Sequence, residues 1–331
     1  MMTGKIAFLL LLVGLVVGVV MALPASAGKH TRTVITYDAA AGELPEGLAF
    51  DRSGNLYVSL APLGQIRKYS AQGTESLLAT FDMDPEALGI LGLAVDRPGN
   101  VYAAVSSGLL ETQGVWRITP DGNQERLPGS EAISFPNALA FDAHGNLYVT
   151  ESIGDDGRGG IWRVAPGGSA EPWLHDEALT GVENDVVPPI GANGIVHFNG
   201  TLYVANTTAM SVVSVPIQPD GSAGAPVVIK QFEGGFDFLD GITVDVHGNL
   251  YPLLVGRYEL VRLNPQTGDV TTVATAADGL HLPASAAFGS GMGNRQAVYI
   301  TNFAYMSVEG LPDSGPAVVR VEVGAPGWPL P

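Results

Sequence analysis

Apolar and polar positions follow one short pattern that occurs six times along the chain. In residues 45–57, PEGLAFDRSGNLY, an apolar run leads into an Asp-x-x-Gly-Asn turn and then into a second apolar run containing Tyr57. Two extended segments joined by a tight turn predict a β-hairpin, in which Gly54 and Asn55 are expected to take positive φ. The later copies begin at Leu91, Asn137, Asn193, Asp240 and Ala284.

The first residues of the six copies, which we call the openers, lie at positions 46, 91, 137, 193, 240 and 284. Successive openers are 44 to 47 residues apart, except for 56 residues before Asn193. A period of this length built only of strands is typical of a β-propeller, so we predict an all-β, six-bladed propeller with four antiparallel strands per blade. The last blade lacks a fourth strand, and residues 31–37 are predicted to supply it and close the ring.

The connections between strands are of two kinds. Short, stereotyped turns such as DRSGN and DVHGN lie at one face of the predicted disc, and because they lack the further acidic ligands of a calcium loop, they are interpreted as hairpin turns. The other face carries longer and dissimilar loops, at residues 106–113, 151–160, 175–192 and 302–315. Variable loops on a rigid scaffold commonly build binding sites, so function is expected on this second face, where the openers also lie.

The N-terminus predicts export. Lys5 precedes an apolar run over residues 6–23, and the small residues Ala25-Ser26-Ala27 follow as a cleavage site. We predict a signal peptide over residues 1–27 and one propeller domain over residues 28–331, in a secreted or periplasmic protein. An uncleaved membrane anchor is the alternative, because the run is nearly long enough to span a bilayer.

Composition narrows the function classes further. The chain contains no cysteine, which excludes disulfides and thiolate metal sites. Its formal net charge of −17 and the absence of a Lys/Arg cluster argue against binding to nucleic acid. A small-molecule partner is therefore expected, and a monomer is the default because a propeller buries its own sheet edges.

The openers carry the candidate chemistry, since each first strand begins at the mouth of the central channel. Glu46, Asn137, Asn193 and Asp240 offer oxygen donors, more than the share of Asp, Glu and Asn in the sequence would place there by chance. Four convergent oxygen ligands, two of them anionic, suit Ca²⁺, and the lack of Cys or His among the openers argues against zinc. The alternative is that Asn and Asp before Gly only favour a turn into the strand. Glu46 does not fit that alternative.

Residues 44–323 resemble the senescence-marker-protein/gluconolactonase (regucalcin-like) family of six-bladed propellers and, more distantly, the paraoxonases. In the gluconolactonase pattern, E-G, N-G and D-G open the first, fourth and fifth blades and together hold one divalent metal. Glu46-Gly47, Asn193-Gly194 and Asp240-Gly241 match this pattern in residue type and order, and Asn137 matches a blade-three Asn at the metal or substrate. The resemblance implies that Asp240 is also the general base that activates water against a lactone carbonyl.

Two positions depart from those patterns. Phe135 stands where the gluconolactonase branch often has an Arg that grips a sugar acid, and Leu91 stands where paraoxonases place a catalytic His. Together with the inert opener Ala284, they make part of the mouth apolar, which would suit a hydrophobic ester or lactone bound by Asn137, Phe135 and Leu91. We therefore predict a metal-dependent hydrolase of a lactone or related ester. The alternatives are a non-catalytic propeller similar to NHL-repeat proteins, which binds a ligand or protein on its variable-loop face, and a strictosidine-synthase-like protein, which need not use the metal.

Overall fold

The computed structural model describes residues 31–234, 238–307 and 310–330, and it confirms the six-bladed propeller with four antiparallel strands per blade. The predicted signal peptide lies outside the described residues. Within them, no helix has the length and apolar character needed to cross a membrane. The first three blades contain β2 (Pro45–Phe50), β3 (Leu56–Leu60), β4 (Gln65–Tyr69) and β5 (Glu75–Thr80); β6 (Gly89–Val95), β7 (Val101–Ser106), β8 (Gly114–Ile118) and β9 (Gln124–Arg126); β10 (Pro136–Phe141), β11 (Leu147–Glu151), β12 (Gly160–Val164) and β13 (Ala170–His175).

The remaining blades follow the same order, with the first strand innermost. They contain β14 (Ala192–Phe198), β15 (Thr201–Asn206), β16 (Ser211–Pro216) and β17 (Val227–Gln231); β18 (Leu239–Val244), β19 (Leu250–Leu254), β20 (Glu259–Leu263) and β21 (Val270–Ala274); β22 (Pro283–Phe288), β23 (Ala297–Asn302), β24 (Ala317–Glu322) and β1 (Thr31–Thr36).

Strand β1 closes the ring as predicted. It pairs antiparallel with β24, from Thr31 opposite Val321 to Thr36 opposite Ala317. A strand from the other end of the chain thereby covers the edge of the last blade. That blade then has four strands, the same number as each of the other blades.

The hydrophobic core lies between neighbouring blades. Tyr57 and Ile66 of the first blade, for example, pack in one buried cluster with Ile90 and Val105 of the second. Period-2 alternation in each strand turns one set of side chains toward each neighbouring blade, so the disc is held by six such interfaces rather than by one central core.

The Asp-x-x-Gly-Asn turns are self-contained hydrogen-bonded units. Asp51 Oδ1 accepts from the backbone N–H of Ser53 and Asn55, and Oδ2 accepts from Asn55 Nδ2 and from the Tyr57 hydroxyl. Gly54 has φ +89°, but Asn55 does not have positive φ, so that part of the prediction was wrong. Asn55 instead contributes its side-chain amide, which donates a hydrogen bond to Asp51. Both carboxylate oxygens are used within the turn, which agrees with a hairpin turn rather than a calcium loop.

Candidate functional site

All six openers lie inside a β-bulge. Each first strand begins one or two residues before its opener, and its register with the second strand shifts between the residue before the opener and the residue two after it. In β18, for example, Leu239 pairs with Leu254 but Ile242 pairs with Pro252. Bulges redirect side chains and are common beside active sites. The sixfold bulge sets the direction in which every opener side chain leaves its strand.

The glycine after an opener is explained by contact between blades. A Cβ atom at Gly194 would lie 2.4 Å from the carbonyl oxygen of Asp240, and one at Gly241 would lie 2.7 Å from that of Ala284. Neither glycine has positive φ, and Asn193 and Asp240 both lie within strands. Because these positions are not turns, the explanation of Asn193 and Asp240 by turn preference does not hold.

Hydroxyl groups of three second strands fix opener carbonyls of the next blade. The Ser59 hydroxyl donates to Leu91 O at 3.0 Å, the Thr150 hydroxyl donates to Asn193 O at 2.7 Å, and the Thr301 hydroxyl donates to Glu46 O. These three side chains are fully buried. The backbone under the opener ring is therefore held by the neighbouring blade, which fixes the positions of the side chains at the axis.

Two further hydroxyls orient the amide openers. Asn137 Nδ2 donates to Ser152 Oγ at 3.0 Å, and Asn193 Nδ2 donates to Thr207 Oγ1 at 3.1 Å. Ser152 and Thr207 occupy equivalent places, one residue after the second strands of their blades. Since the amide nitrogens are engaged there, Oδ1 of each side chain remains as the acceptor. The sequence analysis missed Ser152 and Thr207, whose only signal is this shared position after the strand.

The two carboxylate openers, Glu46 and Asp240, form a like-charge pair. Glu46 is buried, and burial followed by the negative charge of Asp240 raises its pKa well above the ordinary range. Burial raises the pKa of Asp240 to about 8, while a hydrogen bond from the Asn193 side chain acts in the lowering direction. Buried Glu46 Oε2 has no hydrogen-bond partner among the described residues. A pair of this kind calls for a proton or a cation.

The four polar openers fit a hard divalent cation. They supply two carboxylates and two amide oxygens, and Glu46 Oε2 has no hydrogen-bond partner that would take the place of a cation or a proton. Within the described ranges, no group of three or more His, Cys, Asp or Glu side chains could hold a metal. A cation at the ring would therefore need the Asn oxygens among its ligands, a composition that suits Ca²⁺ better than zinc.

A channel of about 1070 Å³ runs from the opener ring to the face that carries the Asp-x-x-Gly-Asn turns. Glu46, Asn137, Asn193 and Asp240 line one end, and turn residues such as Arg52 and Arg97 line the other. Among the described residues, its lining contains none from the four variable loops. The cavity that reaches the candidate site therefore opens on the face opposite to the one expected from loop variability.

Tyr305 lies in the loop between β23 and β24. Burial, and secondly the negative charge of Asp240, raise the pKa of its hydroxyl. The loop is braced by buried His281, whose Nδ1 accepts from Gly315 N–H while Nε2 lies 2.8 Å from Met306 O. Nε2 therefore carries the proton and donates to Met306. Tyr305 was not foreseen from the sequence, because nothing in the repeat places this loop near Asp240.

The two predicted apolar substrate contacts are buried at the ring but do not line the channel. Leu91 is 4% exposed and Phe135 8% exposed. The carbonyl of Leu91 accepts from Ser59, and that of Phe135 accepts from Ser152 N–H at 3.0 Å. Their roles in substrate binding stay predictions.

Comparison with known proteins agrees with this architecture. Residues 127–304, just over half of the chain, match the model of the SMP-30/Gluconolactonase/LRE-like region. No curated protein matches the chain.

Three solved structures share the fold. A luciferin-regenerating enzyme is similar with TM-score 0.68 and 18% identity, over 90% of this chain and 98% of that one. A calcium-binding protein, regucalcin, from Agrobacterium tumefaciens has TM-score 0.66 and 17% identity, over 87% and 93%. A gluconolactonase from Xanthomonas campestris has TM-score 0.61 and 17% identity, over 92% and 99%. At these identities the likeness supports the six-bladed fold.

Proposed function

Because the chain belongs to the SMP-30/gluconolactonase/LRE-like family, we propose that it hydrolyses a lactone or related ester with the help of one divalent cation, Ca²⁺. The observation that carries the proposal is the pairing of buried Glu46 with half-buried Asp240, in which Glu46 Oε2 has no partner among the described residues. A purely structural channel has no need for two carboxylates whose charges oppose each other.

Glu46, Asn137, Asn193 and Asp240 would hold the cation, and water would complete its oxygen shell. When bound, a divalent cation supplies Lewis-acid polarisation of the carbonyl oxygen under attack. A positive charge at the ring also lowers the pKa of both carboxyl groups, so Asp240 is ionised at neutral pH when the site is loaded.

Asp240 is the proposed general base. Its carboxylate accepts a proton from a water molecule whose oxygen forms a bond to the lactone carbonyl carbon. The ring C–O bond then breaks, and Asp240 returns the proton to the departing alkoxide, which gives a hydroxy acid. The bulge in β18 and the close approach of the neighbouring blade at Gly241 hold the base in place.

The residues of the site are better suited to bind a lactone with little charge than to bind a sugar acid. Phe135 replaces the arginine that would bind a carboxylate near Asn137, and the two acidic openers would repel a nearby anion.

We further propose that the protein acts outside the cytoplasm after removal of residues 1–27. Amino-terminal sequencing of the mature protein from the medium or periplasm tests this point, and an intact Met1 would contradict it.

Calcium titration of the purified protein tests the metal site. After treatment with a chelator, wild type is expected to gain thermal stability in millimolar Ca²⁺, and Glu46→Gln is expected to lose most of that gain. Asp220→Asn is the matched control, because Asp220 lies in an exposed turn where it bonds only to neighbours such as Ser222. An equal calcium response in Glu46→Gln and wild type would refute the proposed ligand set.

Hydrolysis of a lactone panel then separates catalysis from binding. Asp240→Asn keeps an oxygen ligand but removes the base, so it is expected to lose at least a hundredfold in kcat. Calcium binding without turnover of any lactone or ester by wild type would contradict the hydrolase and favour a non-catalytic, ligand-binding propeller.

A further inference from the structure

The last residue of each second strand lies beside the segment through which the chain enters that blade. In all six blades it pairs with a residue one or two places before the opener. All six of these residues are buried, and those of blades three, four and six carry a carboxylate or an amide. In chain order they are Leu60, Ser106, Glu151, Asn206, Leu254 and Asn302.

In blades four and six, an amide at this position holds the entering segment by its carbonyl groups. Asn206 Nδ2 donates to Ala178 O at 3.0 Å and to Thr180 O at 2.9 Å. Asn302 Nδ2 donates to Gly279 O at 2.8 Å. Because carbonyl groups only accept hydrogen bonds, the strand end must supply N–H donors there, and an amide does so without a charge.

Glu151 has the same place in the third blade, but its partners are donors. Its Oε1 accepts from the backbone N–H of Ser134 at 2.8 Å, and its Oε2 accepts from Trp162 Nε1 at 2.9 Å. The side chain is buried, so both bonds are shielded from water. An ionised carboxylate accepts at both oxygens, whereas an amide here would turn its own N–H groups toward one of the two donors.

Glu151 and the residue after it hold the chain on both sides of the opener Asn137. Glu151 binds the N–H of Ser134, three residues before the opener. The N–H of Ser152 donates to Phe135 O at 3.0 Å, and Ser152 Oγ accepts from Asn137 Nδ2 at 3.0 Å. The residue directly before Asn137 is a proline without an N–H, so the contacts at Ser134 and Phe135 fix the backbone that leads to the opener.

We propose that Glu151 is a positioning residue for the candidate site. By holding Ser134, it sets the direction in which Asn137 leaves the strand, and thereby the position of the amide oxygen that is offered to the cation. The inference rests on the proposed function, because that function assigns Asn137 to the cation. It adds a residue that stands behind the opener ring and touches neither the cation nor the substrate.

Calcium affinity separates positioning from a purely structural contact. The proteins are wild type, Glu151→Ala and the matched control Asn302→Ala, which loses the same kind of buried contact in a blade whose opener, Ala284, has no ligand atom. Both variants are expected to lose thermal stability. Titration calorimetry at a temperature where all three are folded is expected to show calcium binding weakened about tenfold or more in Glu151→Ala and changed less than about twofold in Asn302→Ala.

Trp162→Phe distinguishes positioning from the charge of Glu151. It keeps the carboxylate and removes one of its two donors, so calcium binding is expected to weaken in the same direction as in Glu151→Ala. Wild-type affinity in Trp162→Phe, with a loss in Glu151→Ala, would show that the negative charge acts at a distance and would overturn the positioning role. If Glu151→Ala does not fold, Glu151→Gln takes its place, because the amide oxygen still accepts one of the two bonds.

The side-chain amide of Asn137 provides a readout that needs neither calcium nor turnover. Its nuclear magnetic resonance signal in the metal-free protein is assigned by its loss in Asn137→Ala. Glu151→Ala is expected to shift this signal and to speed its exchange with water, because the bond from Asn137 to Ser152 loosens, whereas Asn302→Ala leaves it unchanged.

The two readouts keep this inference apart from the proposed function. If wild type binds no calcium but the Asn137 signal responds to Glu151→Ala, the proposed function is wrong and the positioning of Asn137 stands. An Asn137 signal that is the same in wild type and in the folded Glu151 variant would overturn the inference. So would an equal loss of calcium affinity in the Glu151 and Asn302 variants, which would make the strand end a general structural contact.

Discussion

The buried turn acid of the fifth blade, Asp245, gives the sharpest stability prediction. Asp245 is fully buried and accepts four hydrogen bonds, from the backbone N–H of His247 and Asn249, from Asn249 Nδ2 and from the Tyr251 hydroxyl. Asp245→Ala leaves the buried Tyr251 hydroxyl without its acceptor, at a cost of about 1–3 kcal/mol. The three donors in the turn can reach water, and losing each bond costs about 0.5–1.5 kcal/mol. We expect a total loss of about 2.5–7.5 kcal/mol.

The second blade contains a matched control at Asp96. The residue two places after Asp96 is Pro98, which has no N–H, so Asp96 accepts from Asn100 N, Asn100 Nδ2 and Tyr102 only. Asp96 and Tyr102 are also half-buried, and water can replace the lost acceptor. With three bonds lost at about 0.5–1.5 kcal/mol each, Asp96→Ala is expected to cost about 1.5–4.5 kcal/mol.

Urea unfolding followed by circular dichroism, in chelator so that metal does not contribute, measures both variants. Tyr251→Phe should cost about 1 kcal/mol alone and less in the Asp245→Ala background, because the two side chains share one hydrogen bond. If Asp245→Ala costs no more than Asp96→Ala, the reasoning from donor count and burial is wrong.

The other predictions concern ring closure, the opener backbone and metal removal. Deletion of residues 31–36 should abolish cooperative unfolding of the whole domain, and a stable truncated propeller would contradict closure by β1. Gly194→Ala should cost about 1–3 kcal/mol in urea unfolding and weaken calcium binding, because its Cβ would push on the carbonyl of Asp240. Without metal, thermal stability should fall as pH rises from about 4 to about 8, since folded Asp240 binds its proton more tightly than the unfolded chain does. Asp240→Asn should flatten that slope, and an unchanged slope would show that Asp240 is not its source.

The repeat was sufficient to predict the fold because it records the hairpin of every blade. The alternation around Tyr57 and the turn after Asp51 recur with the spacing of the blades, and the missing fourth strand of the last blade led to β1. The place of the C-terminal segment around Trp328 could not be found in this way, because residues 324–330 do not belong to the repeat. Its contacts with Val244 and Phe198 join segments that are distant in sequence.

The candidate site was predicted less completely, since the same residue pair has two physical explanations. Asn193-Gly194 in sequence is equally compatible with a turn and with a bulge, and only the approach of the Asp240 carbonyl shows which applies. Loop variability pointed to one face, whereas the lining of the channel includes the Asp-x-x-Gly-Asn turns of the other face. Tyr305 comes near Asp240 through a loop whose path depends on His281, a long-range contact with no local pattern.

The backbone of the openers is held by the neighbouring blade in two ways, and this explains why opener side chains are free to differ. At Ala138 and Ser285, where the residue after the opener carries a Cβ, the second strand supplies Thr150 or Thr301 to bond the next opener's carbonyl. At Gly194 and Gly241 the blades approach directly. The first blade combines both arrangements, because Gly47 lies against the Leu91 carbonyl and Ser59 also donates to it. The opener side chain, turned to the axis by the bulge, is then the part of this segment that can change from Leu or Ala to Glu, Asn or Asp without loss of the fold.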